Sequence, residues 1–100
     1  MDLSDYLVIG KWMRTELGLS GNELIAYALI FSFSQDGKSE FTGSAKYIAD
    51  WCGITKANAL NLLKRLTEKG FIRKRVEIID NVKYCRYSCY LPSEIEKQEV

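Results

Sequence analysis

The chain of 100 residues has no histidine, a single proline, only three cysteines and no apolar run longer than the eight residues LIAYALIF at 24 to 31. Without histidine, the Ser-His and Cys-His routes to an activated nucleophile are closed and the commonest metal ligand is missing. The cysteines are not spaced CxxC, so a zinc site is not expected. Cys85 and Cys89 fall on what reads as one strand, where ~3.3 Å per residue puts them ~13 Å apart, beyond disulfide reach. Reduced, buried cysteines with a structural role are the expectation. No glycine-rich phosphate loop occurs, and Glu94, Glu96 and Glu99 belong to an acidic terminal segment. An enzyme, a metal and a cofactor are therefore all expected to be absent. The longest apolar run falls far short of the ~20 residues that span a bilayer. The first one, YLVIG, is short and runs at once into Lys11 and Arg14, unlike a signal peptide. A soluble cytoplasmic protein without membrane contact is expected, of a size for one compact domain.

The formal charge of +1 conceals a division along the chain. Residues 1–43 carry three bases against six acids, net −3, whereas residues 44–90 carry ten bases against four acids, net +6. The last ten residues return to −2. A basic half beside an acidic half is the sequence-level footprint of a surface for a polyanion.

Local signals lay out the elements. DLSDYLVIGKWMRTELG suggests an extended entry at Tyr6 to Ile9 passing into a short helix from about Lys11 to Leu17. Ser20 with Glu23 three residues later reads as a capping box, opening a helix that runs to about Ser34. Leu24, Ala28 and Phe31, widened by Ile25, Leu29 and Ile30, make that helix nearly all apolar and hence buried. Asp36 and Gly37 mark a turn, and Phe41 with Thr42 a short strand. Ser44 can cap a two-turn helix, AKYIADWC, with Tyr47, Ile48 and Trp51 facing inward, and Gly53 ends it in a left-handed exit. Thr55 caps the next helix, which Gly70 closes, with Leu60, Leu63, Leu66 and Ala59 predicted to pack on the Ser20 helix. From Phe71 the period changes to two. FIRKRVEII and VKYCRYSCYL flank Asp80 and Asn81, a pair suited to a type I′ hairpin with Ile79 opposite Val82. Ile72, Val76 and Ile78 then share a face with Cys85, Tyr87 and Cys89, and Arg73, Arg75 and Arg86 share the other with Tyr84. The fold class is mainly α with a small β-hairpin, one domain over residues 1–91 and a polar tail or linker over 92–100.

Two helices joined at a glycine turn form a helix-turn-helix unit, and the hairpin that follows makes it winged. The stretch YIADWCGITKANALNLLKRLTEKGFIRK resembles the winged helix-turn-helix family. In that family the second helix lies in the DNA major groove. The resemblance implies sequence-specific binding of double-stranded DNA, with Asn58 and Asn61 on bases, Thr55, Lys56 and Lys64 on the backbone, and Arg65 on the backbone or on a base. Asn pairs bidentately with adenine and Arg with guanine, and a helix N-terminus adds its own affinity for phosphate. Arg73, Arg75 and Arg86 on the hairpin would supply the second contact, because like charges facing one another across strands call for a polyanion.

A narrower likeness covers roughly residues 6 to 75. LSGNELIAYALIFSFSQDG followed by FTGS and the helix pair resembles the N-terminal domain of plasmid and phage replication initiators and replisome organisers of Gram-positive bacteria. That resemblance implies recognition of repeated origin sites in the bacterial nucleoid, with replication proteins recruited by a downstream domain. Paired half-sites would go with a homodimer. A transcriptional regulator of the winged-helix type, and a protein-interaction module that keeps the fold without binding DNA, are the alternatives. A polar helix face alone is usually a solvated one, and basic edge strands also guard against aggregation. The weight lies on their adjacency in the basic half of the chain.

Overall fold

Six elements account for residues 6–34 and 39–90, the part of the chain that the computed structural model describes. They are α1 (Lys11–Thr15), α2 (Gly21–Ser34), α3 (Ala45–Cys52), α4 (Lys56–Glu68), β1 (Ile72–Ile79) and β2 (Val82–Cys89). The order is that of a winged helix-turn-helix, mainly α with one hairpin, as the sequence patterning requires. The expected turn at Asp36 and Gly37, the tail over 92–100 and the boundary near residue 91 lie outside the described residues.

The apolar segment after Ser20 becomes the central helix because no face of it is polar enough to meet water. Leu24, Ala26, Tyr27, Ala28, Leu29, Ile30 and Ser34 of α2 are all buried. Tyr27 is the largest of them and is 0% exposed. Its ring meets Trp12 edge-on at 6.1 Å, and Trp12 meets Phe31 at 5.3 Å, which holds α1 on α2. Burial raises the Tyr27 phenol far above its ordinary pKa, so it stays neutral. The three cysteines are free thiols. Desolvation pushes the buried Cys89 thiol up to about 12, as suits a packing residue.

The opening of α2 departs from the expected capping box. Gly21 sits at φ 58, a left-handed turn at the first helical position that breaks the regular Ser20-to-Glu23 geometry such a box needs. The Glu23 carboxylate instead accepts from Lys69 Nζ at 3.0 Å and pairs with Arg65 Nε at 3.3 Å, bridging α2 to the end of α4.

The other caps follow the sequence. The Ser44 hydroxyl accepts from the Tyr47 amide at 3.4 Å, and the Thr55 hydroxyl from the Asn58 amide at 3.2 Å. Gly53 takes φ 68 and ψ 36, a left-handed cap whose amide donates to the Ala49 carbonyl. Asp80 and Asn81 take φ 52 and 66, the type I′ signature, and Ile79 pairs with Val82. Phe41 and Thr42 do not form a strand. Phe41 alone bridges to Tyr87, its amide donating at 2.6 Å and its carbonyl accepting at 3.1 Å, so the expected strand is reduced to a single bridge at the hairpin root. At the same root the Cys89 amide donates to Ser34 Oγ at 3.1 Å, anchoring β2 to α2.

Two packing assignments need correction. The buried stripe of α4 is Ala59, Leu62, Leu63 and Leu66, a spacing of three, one and three that follows the helical period, whereas Leu60 is 48% exposed. Ala59 opens that stripe, and the helical period then turns Leu60 away from it, toward the hairpin residues Lys74 and Tyr87. In α3 the buried residues are Ile48 and Ala49, with Trp51 half-buried, and Tyr47 is 40% exposed. The inward face of this short helix lies one residue further round, and the Tyr47 ring rests beside Phe41 at 6.0 Å.

Candidate nucleic-acid interface

The buried stripe of α4 fixes what the helix shows outward. At ~100° per residue the side directly opposite Ala59, Leu62, Leu63 and Leu66 carries Ala57, Asn61, Lys64 and Glu68. Asn58 and Arg65 fall to one flank and Lys56 and Leu60 to the other. All of these are exposed, and so is Thr55. The predicted face is therefore present, but the fold divides it between two surfaces.

On the α2 flank, Asn58, Asn61 and Arg65 line a polar cleft with Ser20, Asn22 and Glu23. Arg65 is tied there to Glu23, which also holds Lys69, so part of its charge is already answered within the protein. On the other flank α4 faces the hairpin. A cleft of about 500 Å³ is lined by Lys56 and Leu60 from α4, by Lys74, Lys83 and Tyr84 from the strands, and by Thr42 to Ala45 before and into α3. No carboxylate lines it. An adjoining hollow brings in Asn61 and Lys64, with Lys74 again on its far side and Glu68 at its end. Among the described residues, no ion pair engages Lys56, Lys64, Lys74 or Lys83.

The three predicted hairpin arginines sit elsewhere. Strand pairing puts Arg75 opposite Arg86, as anticipated, on the face that carries Arg73 and not on the face of Lys74 and Lys83. Their mutual repulsion is relieved from within the protein, which corrects the expectation that a polyanion is needed. Arg75 binds Glu40 through two nitrogens, Nη2 at 2.7 Å and Nε at 3.0 Å, and Arg86 Nε donates to Glu77 at 2.8 Å. The Arg75 guanidinium holds the Glu40 carboxyl below its ordinary range, and Arg86 does the same to Glu77. Arg73 lies 5.4 Å over the Tyr90 ring. Glu40 is 35 residues from Arg75 in the chain, so nothing local in the sequence announces this pairing.

Lys74 and Lys83, which line the cleft facing α4, are candidate site residues that the sequence reading does not single out. The signal was available, since alternation along RKR and the Ile79 to Val82 register place Lys74 with Tyr87 and Lys83 with Ile78 on the face that packs toward α4.

The helix-turn-helix domain family matches residues 17–72, more than half of the chain. The chain belongs to that family. The match runs from just before α2 to the first residue of β1 and so takes in the whole helix pair and the start of the hairpin. Two solved structures share the fold. A possible transcriptional regulator from Methanosarcina mazei Go1 is 15% identical with a TM-score of 0.58, covering 85% of this chain and 68% of its own. An S. aureus MepR mutant bound to an oligodeoxyribonucleotide is 20% identical with a TM-score of 0.59, covering 86% of this chain and 57% of its own. The chain thus spans little more than half of the MepR chain. No curated protein matches it. Among the described residues no group of cysteines and carboxylates has the makings of a metal site, and no helix is long and apolar enough to cross a membrane.

Proposed function

We propose that the chain is a sequence-specific binding domain for double-stranded DNA, with α4 in the major groove and the lysine face of the hairpin on the phosphate backbone. One observation carries this reading: Lys56 of α4 and Lys74 and Lys83 of the hairpin converge on one concave surface that no carboxylate lines. Converging cations without internal partners repel one another until an anion covers them, and the DNA backbone is such a polyanion. A major groove ~12 Å wide admits a helix, and the 13 residues of α4 reach ~20 Å along it. Asn61, at the centre of the outward side, is the foremost base-reading residue, with Asn58 beside it on the flank. Thr55, Lys56 and Lys64 suit phosphate oxygens. On the hairpin Lys74 and Lys83 take precedence over Arg75 and Arg86, and Arg65 serves chiefly to hold α4 against Glu23. The function needs no catalysis and no cofactor.

The setting is that of a transcriptional regulator, a reading favoured by the two structural neighbours and by the oligodeoxyribonucleotide bound to one of them. The replication-initiator setting, with origin repeats, recruited replication proteins and a place in the bacterial nucleoid, draws only on the likeness of LSGNELIAYALIFSFSQDG and FTGS. A homodimer would follow if the site proves to be two half-sites. A second reading, a protein-interaction module, draws on Val76, Ile78, Ile79, Val82 and Tyr84, which leave the outer half of the hairpin exposed and apolar. Selection of bound sequences from random duplex DNA decides between the two. A defined site, with preferences relaxed by Asn61→Ala, supports DNA reading; recovery of no sequence and no duplex binding at low salt supports the interaction module.

A further inference from the structure

Leu60 is a half-exposed leucine in the middle of a cationic surface. The core stripe of α4 is complete without it, formed by Ala59, Leu62, Leu63 and Leu66. One turn before it lies Lys56 and one turn after it Lys64. It shares one cleft with Lys56, Lys74 and Lys83 and the adjoining hollow with Lys64 and Lys74. An apolar protein partner seated on Leu60 would strip water from the surrounding ammonium groups and offer no counter-charge. A duplex does the opposite, because its phosphates answer the lysines while the groove floor covers the leucine. Of the groups that a major groove presents, the only apolar one is the C5-methyl of thymine. Against any other base edge, the leucine would leave a buried donor or acceptor unpaired.

We infer that Leu60 is a specificity-determining residue that selects thymine through its C5-methyl group. This rests on the DNA-binding reading above and adds to it a base preference that the two asparagines do not supply, since Asn pairs with adenine by hydrogen bonds. Lys56 and Lys64 hold the backbone on either side, and Leu60 reads the base between them.

The test uses the duplex obtained by selection, with each thymine replaced in turn by deoxyuridine, a change that removes one methyl group and no hydrogen-bonding atom. The wild-type chain is expected to lose roughly fourfold in affinity at one thymine of the site, the worth of one buried methyl-sized group. Leu60→Ala is expected to bind the thymine and uracil duplexes alike, whereas Asn61→Ala keeps the difference. Because the substitution is made in the DNA, the wild-type comparison does not depend on how well any variant folds. Equal binding by the wild type at every replaced thymine, or a fourfold difference that survives Leu60→Ala, overturns the role of Leu60 and leaves DNA binding standing. Failure of the wild type to bind any duplex at low salt overturns both.

Discussion

Replacing Lys74 and Lys83 together by Ala should flatten the salt dependence of DNA binding, and replacing Arg75 and Arg86 should not. Both lysines are exposed and line the acid-free cleft facing α4. Both arginines lie on the opposite face, held by Glu40 at 2.7 Å and Glu77 at 2.8 Å. Each phosphate neutralised contributes about 0.9 to the slope of log K against log salt, so loss of two contacts should reduce the slope by about 1.8. At about 0.1 M salt the same term is worth roughly eightfold per contact, or roughly sixtyfold for the pair. Fluorescence anisotropy of a labelled duplex over a salt series measures the slope, and circular dichroism of each variant verifies that it is folded. If the arginine pair lowers the slope more than the lysine pair, the assignment of the binding face is wrong.

Leu66→Ala should cost about 2 to 5 kcal/mol in chemical denaturation, as a buried leucine does, and Leu60→Ala less than about 1 kcal/mol, which tests the corrected stripe of α4. Gly53→Ala should cost about 1 to 2 kcal/mol, all of it from the left-handed backbone at φ 68, since a Cβ there would meet no atom within 4 Å. Glu40 and Glu77 have folded-state pKa values depressed by Arg75 and Arg86, so their pairs stabilise the hairpin above the ordinary glutamate value of 4.5 and are lost as pH falls below it. Amide exchange in β1 and β2, corrected for its intrinsic pH dependence, should therefore lose protection below about pH 4.5 in the wild type. Glu40→Gln should show the weaker protection already at neutral pH.

What the sequence made legible was whatever is decided within a few residues. Ser44, Gly53, Thr55 and the Asp80 to Asn81 turn each act on their own neighbours, so helix ends and hairpin register could be read directly. The phase of α4 was harder, because Leu60, Leu62, Leu63 and Leu66 offer two overlapping stripes and only the neighbouring helices choose between them. The charged hairpin posed the same problem in a sharper form. RKR is basic on both faces, and which face is free depends on Glu40, which reaches Arg75 only once the chain has folded. Glu23 resembles a local cap in the sequence for a related reason, since its partners Arg65 and Lys69 are remote along the chain.

The most direct test of binding through the α4 and hairpin cleft is to follow backbone and side-chain NMR signals of the intact chain as duplex DNA of the selected sequence is added. The expected result is a contiguous set of shifts at Thr55, Lys56, Leu60, Asn61, Lys64, Lys74 and Lys83, with Arg75, Arg86 and α1 little changed. Shifts confined to Tyr6 to Ile9 or to the outer hairpin residues Ile78 to Val82, or no shifts at all at low salt, would contradict it.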